Sequence, residues 1–396
     1  MRILMVNTGF LPVPPNRGGS VEMHTYYLCN ELAKLGNEIH YVTSVNPSAI
    51  FQRGVVLHKL PWIPFDFHGN YLKTMLGFGI GGFFAFIKAL KVMNGNEYDI
   101  VHVHGHIPGF CLLPLKRKSI FIFTAHNPNP WMVESFSRLK QAFRICAFKT
   151  IELKIAMNAD CVITVSERLK KEFVHRFGVP SEKIRVIPNG VDINLFRPTV
   201  SNSNEILSKY QLPEDYVLFV GRLVEQKGVQ FLLKAVKGTN IHVAIVGGGT
   251  LYSYLKELSK RLGISKQVHF IGSVPLEDLR KIYSKAKFCV IPSVAEGFPC
   301  GLVGLEAMAS GLPIVASRIE GIEEIVVDGY NGFLFEKGDV KKLRLHLTKL
   351  IEDEKLVKIM GKRSRKIVED KFSWSVVAQK TFQLYKDLLD LSLIHI

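Results

Sequence analysis

Short apolar runs alternate with amphipathic stretches along the whole chain. In the first half the apolar runs are RILMVN, EIHYVTS, DIVHVH, SIFIFTAH and CVITVS, and in the second half they are YVLFVG, HVAIVGG, VHFIGS, FCVIPS and PIVAS. Segments with helical periodicity, such as VEMHTYYLCNELAKLG, lie between them. Continuous apolar strands that alternate with helices are typical of parallel sheets covered by helices on both faces. The pattern therefore predicts an α/β fold of doubly wound, Rossmann-like domains.

A break in this pattern predicts a domain boundary. The chain has 396 residues, more than one hydrophobic core usually serves. Over residues 194–215, NLFRPTVSNSNEILSKYQLPED, Pro, Ser and Asn interrupt the periodicity before a new strand begins. We predict an N-terminal domain over residues 1–196 and a C-terminal domain over residues 197–372. Ligands of such folds bind beyond the carboxyl ends of the strands, so two facing domains would form a cleft between them.

The charge balance favours an anionic partner. The formal net charge is +16, and residues 1–200 carry 23 Lys and Arg against 13 Asp and Glu. A basic excess suits nucleic acid, an acidic membrane surface or phosphorylated small molecules, although it also serves solubility alone. Zinc-finger spacing and basic runs with interleaved aromatic residues are both lacking, so nucleic acid is not expected.

Two further features bear on the cellular compartment. The six cysteines form no CxxC pair and most have apolar neighbours, so we expect reduced thiols in a cytoplasmic protein. The start, MRILMVNTGF, does not resemble a signal peptide. Residues 75–87, MLGFGIGGFFAFI, are too short to span a bilayer and predict either a core helix or an interfacial helix.

Candidate phosphate ligands follow the first strand of each half. Gly18 and Gly19 precede a helix that begins near Ser20, where backbone and helix N-terminus suit phosphate, although a plain loop is the alternative. The dinucleotide pattern GxGxxG is absent, which weighs against NAD. Arg222 directly follows the strand YVLFVG, and Lys227 comes five residues later. Two cations at that place would form a diphosphate clamp, or else they are surface charges.

Four histidines lie near predicted strand ends. They are His102, His104 and His106 in DIVHVHGHIPG and His126 in SIFIFTAHNPNPW. A metal site is not favoured because Asp99, the nearby carboxylate, lies at the opposite end of its strand. His126 precedes a proline-rich loop and would either bond a substrate hydroxyl or have a structural role.

Two carboxylates, Glu296 and Glu306, flank a glycine-rich strand-to-helix turn in SVAEGFPCGLVGLEAMASG.

Together, these sequence segments resemble those of the retaining nucleotide-sugar glycosyltransferases of family 4, which have the GT-B fold. The matching segments run in order from GGSVE, DIVHVH, TAHN, ADCVITVSE and VIPNGVD through GRLVEQKG, IVGGGTL, VHFIGSVP, PSVAEGF and LEAMASGLPIVAS to GIEEIVVDGYNGFLF. The resemblance implies two facing Rossmann-like domains with a donor cleft between them. It also implies that the C-terminal helix, residues 373–396, packs back on the N-terminal domain.

The resemblance further implies a role for each candidate residue. Arg222 and Lys227 would hold the donor diphosphate, Glu306 would accept hydrogen bonds from ribose hydroxyls, and His126 and Glu296 would contact the sugar as catalytic residues. The remaining donor contacts would come from Gly18, Gly19, Val274, Gly301, Leu302 and Val303. The leaving phosphate itself would help to deprotonate the acceptor, so neither a protein nucleophile, nor a metal, nor a cofactor is expected.

One departure concerns the two glutamates, which the family usually spaces eight residues apart and which are ten apart here. Counting back from Glu306 would place the first position at Phe298, which cannot accept a hydrogen bond. Alignment from PSVAEGFP makes Glu296 the first acid, with two inserted residues near Pro299 and Cys300. We predict the insertion because loops accommodate it at low cost.

The predicted activity is transfer of a hexosyl unit from a nucleotide diphosphate sugar to a glycan or lipid-linked acceptor. The alternatives are a nucleotide-sugar 2-epimerase of the same fold and a non-catalytic two-domain sugar-binding protein. The more basic N-terminal half, the apolar stretch 75–87 and the basic amphipathic segment 135–154 suggest peripheral association with an anionic membrane on its cytoplasmic face. The base, the sugar and the acceptor stay open.

Overall fold

The computed structural model describes residues 1–8, 10–15, 19–61, 71–115, 119–126, 150–201, 203–294 and 301–394. The chain divides into two compact units. The first unit comprises Met1–Asn189 and Trp374–Ile396, and the second unit comprises Gly190–Ser373. The first division therefore lies seven residues before the predicted boundary at residue 196, and the C-terminal helix belongs to the first unit.

A seven-stranded parallel sheet forms the centre of the first unit, with strand order β3-β2-β1-β4-β5-β6-β7. Its strands are β1 Arg2–Val6, β2 Glu38–Thr43, β3 Val55–Lys59, β4 Ile100–Val103, β5 Ile120–Ala125, β6 Cys161–Thr164 and β7 Ile184–Val186. The strand order reverses direction between β1 and β4. Ligands of doubly wound sheets bind at such a switch point, beyond the carboxyl ends of the strands.

Helices cover both faces of this sheet. They are α1 Ser20–Lys34, α2 Tyr71–Met93, α3 His106–Leu112 and α4 Glu167–Phe177, together with the C-terminal helix Trp374–Ile394; residues 150–158 are also helical. Successive residues of β1 enter different cores, since Leu4 and Val6 belong to one apolar cluster and Ile3 and Met5 to another. This alternation explains why the strands are apolar throughout.

A six-stranded parallel sheet forms the centre of the second unit, with strand order β10-β9-β8-β11-β12-β13. Its strands are β8 Val217–Val220, β9 Val243–Val246, β10 Val268–Gly272, β11 Cys289–Ile291, β12 Ile314–Ser317 and β13 Gly332–Phe335. The order reverses between β8 and β11, which places a second switch point at the loops that follow these two strands.

The helices of the second unit again lie on two apolar cores. They are α5 Glu205–Lys209, α6 Val229–Val236, α7 Tyr252–Arg261, α8 Leu276–Lys285, α9 Leu302–Ala309, α10 Val340–Glu352 and α11 Glu354–Lys371. The C-terminal helix Trp374–Ile394, which belongs to the first unit, is α12. Leu218 of β8 faces one core, and its neighbours Val217 and Phe219 face the other.

The division after Asn189 has a packing reason. The backbone N–H of Val191 donates to the carbonyl of Phe372 at 2.8 Å, and Val191 and Phe196 are buried in a core of the second unit. The predicted boundary lies later, after residue 196. The reason is that residues 190–196 belong to the second unit but have an ordinary loop sequence, which does not indicate the unit to which they belong.

The apolar stretch 75–87 lies in α2, and its two faces differ. Ala85 and Ala89 are fully buried, whereas Ile80, Phe83 and Phe84 are 40%, 54% and 41% exposed. Both a core face and an exposed apolar face are therefore present on one helix. Within the described ranges, none of the helices combines the length and the apolarity that a bilayer span requires.

Candidate functional site

Arg222 and Lys227 lie in the loop that follows β8, at the switch point of the second unit. Arg222 is exposed and Lys227 is half-buried, and a short 3-10 turn spans Glu225–Lys227. The loop is tied to the one after β9, since the N–H of Leu223 donates to the carbonyl of Gly248 at 2.9 Å. Both predicted cations are thus held at the carboxyl edge of the sheet.

Gly228 brings this loop against the end of β11. Its φ is +65°, and a Cβ at this position would lie 1.9 Å from the carbonyl oxygen of Pro292. Only glycine permits that approach and that backbone conformation at low cost. The N–H of Val294 also donates to the carbonyl of Gln226 at 2.8 Å. Residues 292–294, which lead into the predicted donor-sugar loop, therefore lie beside the turn that contains Lys227.

The acidic part of this loop lies outside the described residues, since they stop at Val294 and resume at Gly301. Glu296, Phe298 and the predicted insertion at Pro299 and Cys300 fall in that gap, and their assignment stays a prediction.

The helix α9 supplies the second half of the predicted donor-binding turn. Gly301 precedes its first residue, Leu302, and helical hydrogen bonding starts with the N–H of Gly304, which donates to the carbonyl of Gly301 at 2.8 Å. The N–H groups of Leu302 and Val303 are in the first turn, where a helix has no carbonyl of its own to offer them. Such amides favour an anion through the helix dipole. The predicted donor contacts at these positions are therefore chemically suitable.

Glu306 lies one turn further along α9 and is partly buried. The hydroxyl of Tyr283, from α8, donates to its carboxylate at 3.0 Å. Burial raises the pKa of Glu306 to about 7, and the Tyr283 hydrogen bond opposes this shift. A carboxylate in this state accepts hydrogen bonds from hydroxyl groups and releases or takes up a proton near neutral pH.

Val274 has a different setting from the other predicted donor residues. It is half-buried after β10, and its side chain packs against an apolar core of the second unit. Any contact that it makes with a ligand is thus expected to come from its backbone rather than from its side chain.

His126 lies directly after β5 in the first unit and is 9% exposed. Its Nε2 lies 2.9 Å from Nδ1 of His104, which directly follows β4. The ring of His24, from α1, packs edge-on against that of His126, with a centroid distance of 4.7 Å. Burial lowers the pKa of all three imidazoles, that of His24 to about 4. The cluster is therefore neutral at physiological pH.

The other predicted histidines have different partners. His102 is fully buried, its Nδ1 lies 2.6 Å from the hydroxyl of Tyr385 on α12, and its Nε2 lies 2.6 Å from that of Thr124. His106 lies 3.5 Å from the buried Glu152, whose carboxylate raises the pKa of His106 against the opposing effect of burial. The ring of His102 also packs against that of His104, with a centroid distance of 4.3 Å. Of the four histidines in the predicted set, His102, His104 and His126 therefore lie together, and His106 is paired with Glu152.

Gly19 directly precedes α1 and adopts a left-handed conformation with φ of +75°, while Gly18 lies outside the described residues. The following turn holds Glu22, which is buried and accepts a hydrogen bond from the hydroxyl of Thr8 at 2.9 Å. Burial raises the pKa of Glu22, and hydrogen bonds from Thr8 and the backbone of Leu11 oppose this. Glu22 therefore ties the loop after β1 to the start of the helix that Gly19 opens.

Several of these contacts escape a reading of the sequence. His24 and Tyr283 lie in helices whose periodicity assigns them only to a buried or an exposed face, and neither stands in a recognisable local motif. The contacts join distant segments, such as α8 with α9 and α1 with the ends of β4 and β5. For Glu22 the signal was present, since it ends the GGSVE segment.

Comparisons with known proteins match both halves of the chain. The family model described as Glycosyltransferase Family 4 matches residues 18–195, and the model described as Glycosyl transferases group 1 matches residues 203–367. D-inositol 3-phosphate glycosyltransferase from Corynebacterium jeikeium is 32% identical over 339 residues, which cover 80% of this chain and 78% of that protein. An uncharacterized glycosyltransferase from Methanocaldococcus jannaschii is 28% identical and covers 99% of both chains.

Solved structures give the same fold. Sucrose-phosphate synthase from Thermosynechococcus elongatus matches with a TM-score of 0.76 at 23% identity, covering 98% of this chain and 99% of that chain. Anabaena HepE in complex with UDP matches with a TM-score of 0.71 at 20% identity, covering 98% and 100%. At this identity the likeness establishes the fold, which is the predicted GT-B fold of two Rossmann-like units.

Proposed function

The chain belongs to glycosyltransferase family 4, and from this premise we propose that it transfers a hexosyl unit from a nucleotide diphosphate sugar to a glycan or lipid-linked acceptor, with retention at the anomeric carbon. The observation that carries the proposal is the arrangement at the switch point of the second unit. There, the Arg222 and Lys227 loop and the loop before α9 are joined through Gly228 and Pro292.

Each group in the second unit has a task in this proposal. The cations of Arg222 and Lys227 and the first amides of α9 bind the diphosphate, and Glu306 accepts hydrogen bonds from the ribose hydroxyls. As the bond from the anomeric carbon to the diphosphate breaks, negative charge grows on the leaving group. Fixed cations and amides stabilise that charge without reorganising, which lowers the barrier.

The groups of the first unit act on the sugar and the acceptor. His126 is neutral because burial lowers its pKa, so it serves as a hydrogen-bonding partner of the transferred sugar rather than as a cation. The acceptor oxygen bonds to the anomeric carbon on the face that the diphosphate leaves, and its proton passes to a leaving phosphate oxygen. Enzyme residues then position and stabilise the reactants without forming a covalent bond.

The donor is tested first with a panel of UDP, GDP and ADP sugars. Uridine leads the panel because the structural neighbour HepE has been solved with UDP and with UDP-glucose, and ADP is included because starch synthase IV of Arabidopsis thaliana was solved with it. We expect one nucleotide class to raise the melting temperature and to be released as nucleoside diphosphate. Release of nucleoside diphosphate in the presence of an acceptor supports transfer. A change of configuration at C2 of the donor sugar would indicate a 2-epimerase, and donor binding without either reaction would indicate a sugar-binding protein.

The acceptor panel contains glycans, lipid-linked sugars and D-inositol 3-phosphate. The last is included because the relatives from Corynebacterium are named for it. Proton NMR of the product gives the anomeric configuration, and retention is the expected result. An inverted product would contradict the proposed mechanism while leaving the family assignment intact.

Transfer is also proposed to need neither a metal nor a cofactor. Full activity after treatment with EDTA and gel filtration is the expected result. A loss of activity that Mg²⁺ or Mn²⁺ restores would contradict the proposal that transfer needs no metal.

Glu296 is proposed to contact the donor sugar, which gives a direct test of the two-residue insertion. Glu296→Ala should lower the turnover number at least about tenfold while the affinity for donor changes little, because the contact is used in the transition state. Phe298→Ala is the matched control, since Phe298 takes the position eight residues before Glu306. Turnover near that of the wild type in Glu296→Ala, with a loss in Phe298→Ala, would overturn the assignment.

Peripheral membrane association is the remaining part of the proposal. The exposed apolar face of α2, formed by Ile80, Phe83 and Phe84, supports it, and Lys91 is exposed on the same helix. Residues 135–149 of the predicted basic segment lie outside the described residues.

Flotation with anionic vesicles tests this association. We expect binding at low salt that falls at high salt and in the double variant Phe83→Ser and Phe84→Ser. Ile359→Ser, at a residue 48% exposed on α11, is the control for loss of an apolar surface residue. Binding at low salt that the double variant retains would contradict the role of α2.

A further inference from the structure

Three buried imidazoles from separate elements meet in the first unit. His24 comes from α1, His104 follows β4 and His126 follows β5. One ring nitrogen from each lies within 4.8 Å of the other two, and the three residues are 3%, 4% and 9% exposed. The fold thus concentrates three nitrogen ligands in a volume that is closed to bulk water on most sides.

The outer partners of this cluster orient two of its rings. Nδ1 of His24 lies 2.9 Å from the amide oxygen of Asn189, which can only accept, so this nitrogen carries the proton and Nε2 carries the lone pair. Nε2 of His104 lies 3.1 Å from the sulfur of Met5, a weak acceptor, which leaves the lone pair on Nδ1. Metal-binding histidines are held by their second nitrogen in this way.

The spacing is close to that of a tetrahedral site. Ligand nitrogens about 2.0–2.1 Å from a Zn²⁺ ion are about 3.3–3.4 Å apart in tetrahedral geometry. Nδ1 of His104 and Nε2 of His126 are 2.9 Å apart, so the ion would separate them by about half an ångström and draw His24 inward. Burial also lowers the pKa of these imidazoles, so protons do not compete for the nitrogens at neutral pH.

We propose that His24, His104 and His126 form an inhibitory Zn²⁺ site. The ion coordinates Nε2 of His24, Nδ1 of His104 and Nε2 of His126, with a fourth position for water. The hydrogen bond between His104 and His126 breaks as the ion binds, and the proton on Nε2 of His126 moves to its Nδ1. Three imidazoles select Zn²⁺ and its neighbours in the first transition row over Mg²⁺ and Ca²⁺, which prefer oxygen.

Inhibition follows because the ion takes His126 out of contact with the sugar. This part rests on the proposed function, whereas zinc binding itself does not. It is also compatible with a reaction that needs no metal, because the ion here blocks the reaction and has no chemical role in it.

Zinc binding is measured by competition with a chromophoric chelator, and Co²⁺ absorption reports the geometry. We expect one Zn²⁺ per wild-type chain, tetrahedral Co²⁺ bands, and affinity at least tenfold lower in His24→Gln. The control is His242→Gln in the second unit, where Nδ1 of His242 lies 3.2 Å from Nε2 of His269, so that this pair presents two neighbouring imidazoles without a third among the described residues. Unchanged affinity in His24→Gln, or loss of binding in His242→Gln, would overturn the site.

A measurement on the wild type covers the case in which the buried variant does not fold. X-ray absorption at the zinc edge counts imidazole ligands, and three are expected, while two or fewer would overturn the proposal. The inhibition is then tested in the transfer assay, where Zn²⁺ should stop turnover and EDTA should restore it. Zinc binding without transfer for any donor would refute the proposed function alone, and transfer that resists one equivalent of bound zinc would refute the inhibition.

Discussion

The affinity for the donor should depend on pH through Glu306. Burial holds the pKa of this carboxyl at about 7 in the free protein, so it is about nine-tenths ionised at pH 8 and about one-tenth ionised at pH 6. Ribose hydroxyls donate to the ionised form, and binding must therefore remove the proton at low pH. The dissociation constant of the donor is expected to rise about tenfold from pH 8 to pH 6.

Among the described residues, the two titratable groups that interact with Glu306, Tyr283 and Cys289, do not titrate in this window. Burial raises the pKa of Tyr283 well above its usual value and that of Cys289 to about 12, so both stay neutral. The assay is isothermal titration with the intact nucleotide sugar, because the terminal phosphate of a free nucleoside diphosphate titrates near pH 6.

Two variants test the reasoning. Glu306→Gln should bind the donor more weakly at pH 8 and lose the pH dependence. Tyr283→Phe removes the hydrogen bond that lowers the pKa of Glu306, so it should move the midpoint to higher pH. A dissociation constant that is flat between pH 6 and pH 8 in the wild type would refute the assignment of Glu306 to the ribose.

Three further predictions concern other parts of the fold. Gly228→Ala should lower the free energy of unfolding, measured by denaturant titration, by at least about 2 kcal/mol, because the left-handed conformation costs about 1–2 kcal/mol and the carbonyl of Pro292 must also move. Gly263→Ala is the control, since its φ is +72° and no atom lies within 4 Å of the added Cβ, and it should show the conformational cost alone. Lys227→Met should raise the KM of the donor by about 10- to 150-fold, from the loss of a charge-assisted hydrogen bond of about 1.5–3 kcal/mol, and an unchanged KM would place the cation outside the diphosphate site. Ser166→Ala removes the side chain that accepts from the N–H of Leu169 at the start of α4, so chemical denaturation should report about 1 kcal/mol less stability with turnover unchanged.

The sequence alone determined the architecture and the residues that lie next to a strand end. Continuous apolar strands alternate with amphipathic helices in any doubly wound fold, because both faces of the sheet are buried, and this signal is local. For the same reason Arg222, Lys227, His104 and His126 could be placed at the carboxyl edges of their sheets, since each lies within a few residues of a strand. The resemblance to the family then assigned a role to each of these residues.

Only the tertiary structure decided which side chains meet. His24 lies 80 residues from His104 and 102 residues from His126. Tyr283 lies 23 residues from Glu306, on another helix. Helical periodicity indicates which face of a helix is buried, but it does not indicate which element packs against that face. The division after Asn189 places Val191 in the second unit, where its N–H donates to the carbonyl of Phe372, 181 positions away. Such contacts are set by how strands order and helices pack, and for that reason the histidine cluster, the pKa of Glu306 and the position of the division follow from the fold and not from any local pattern.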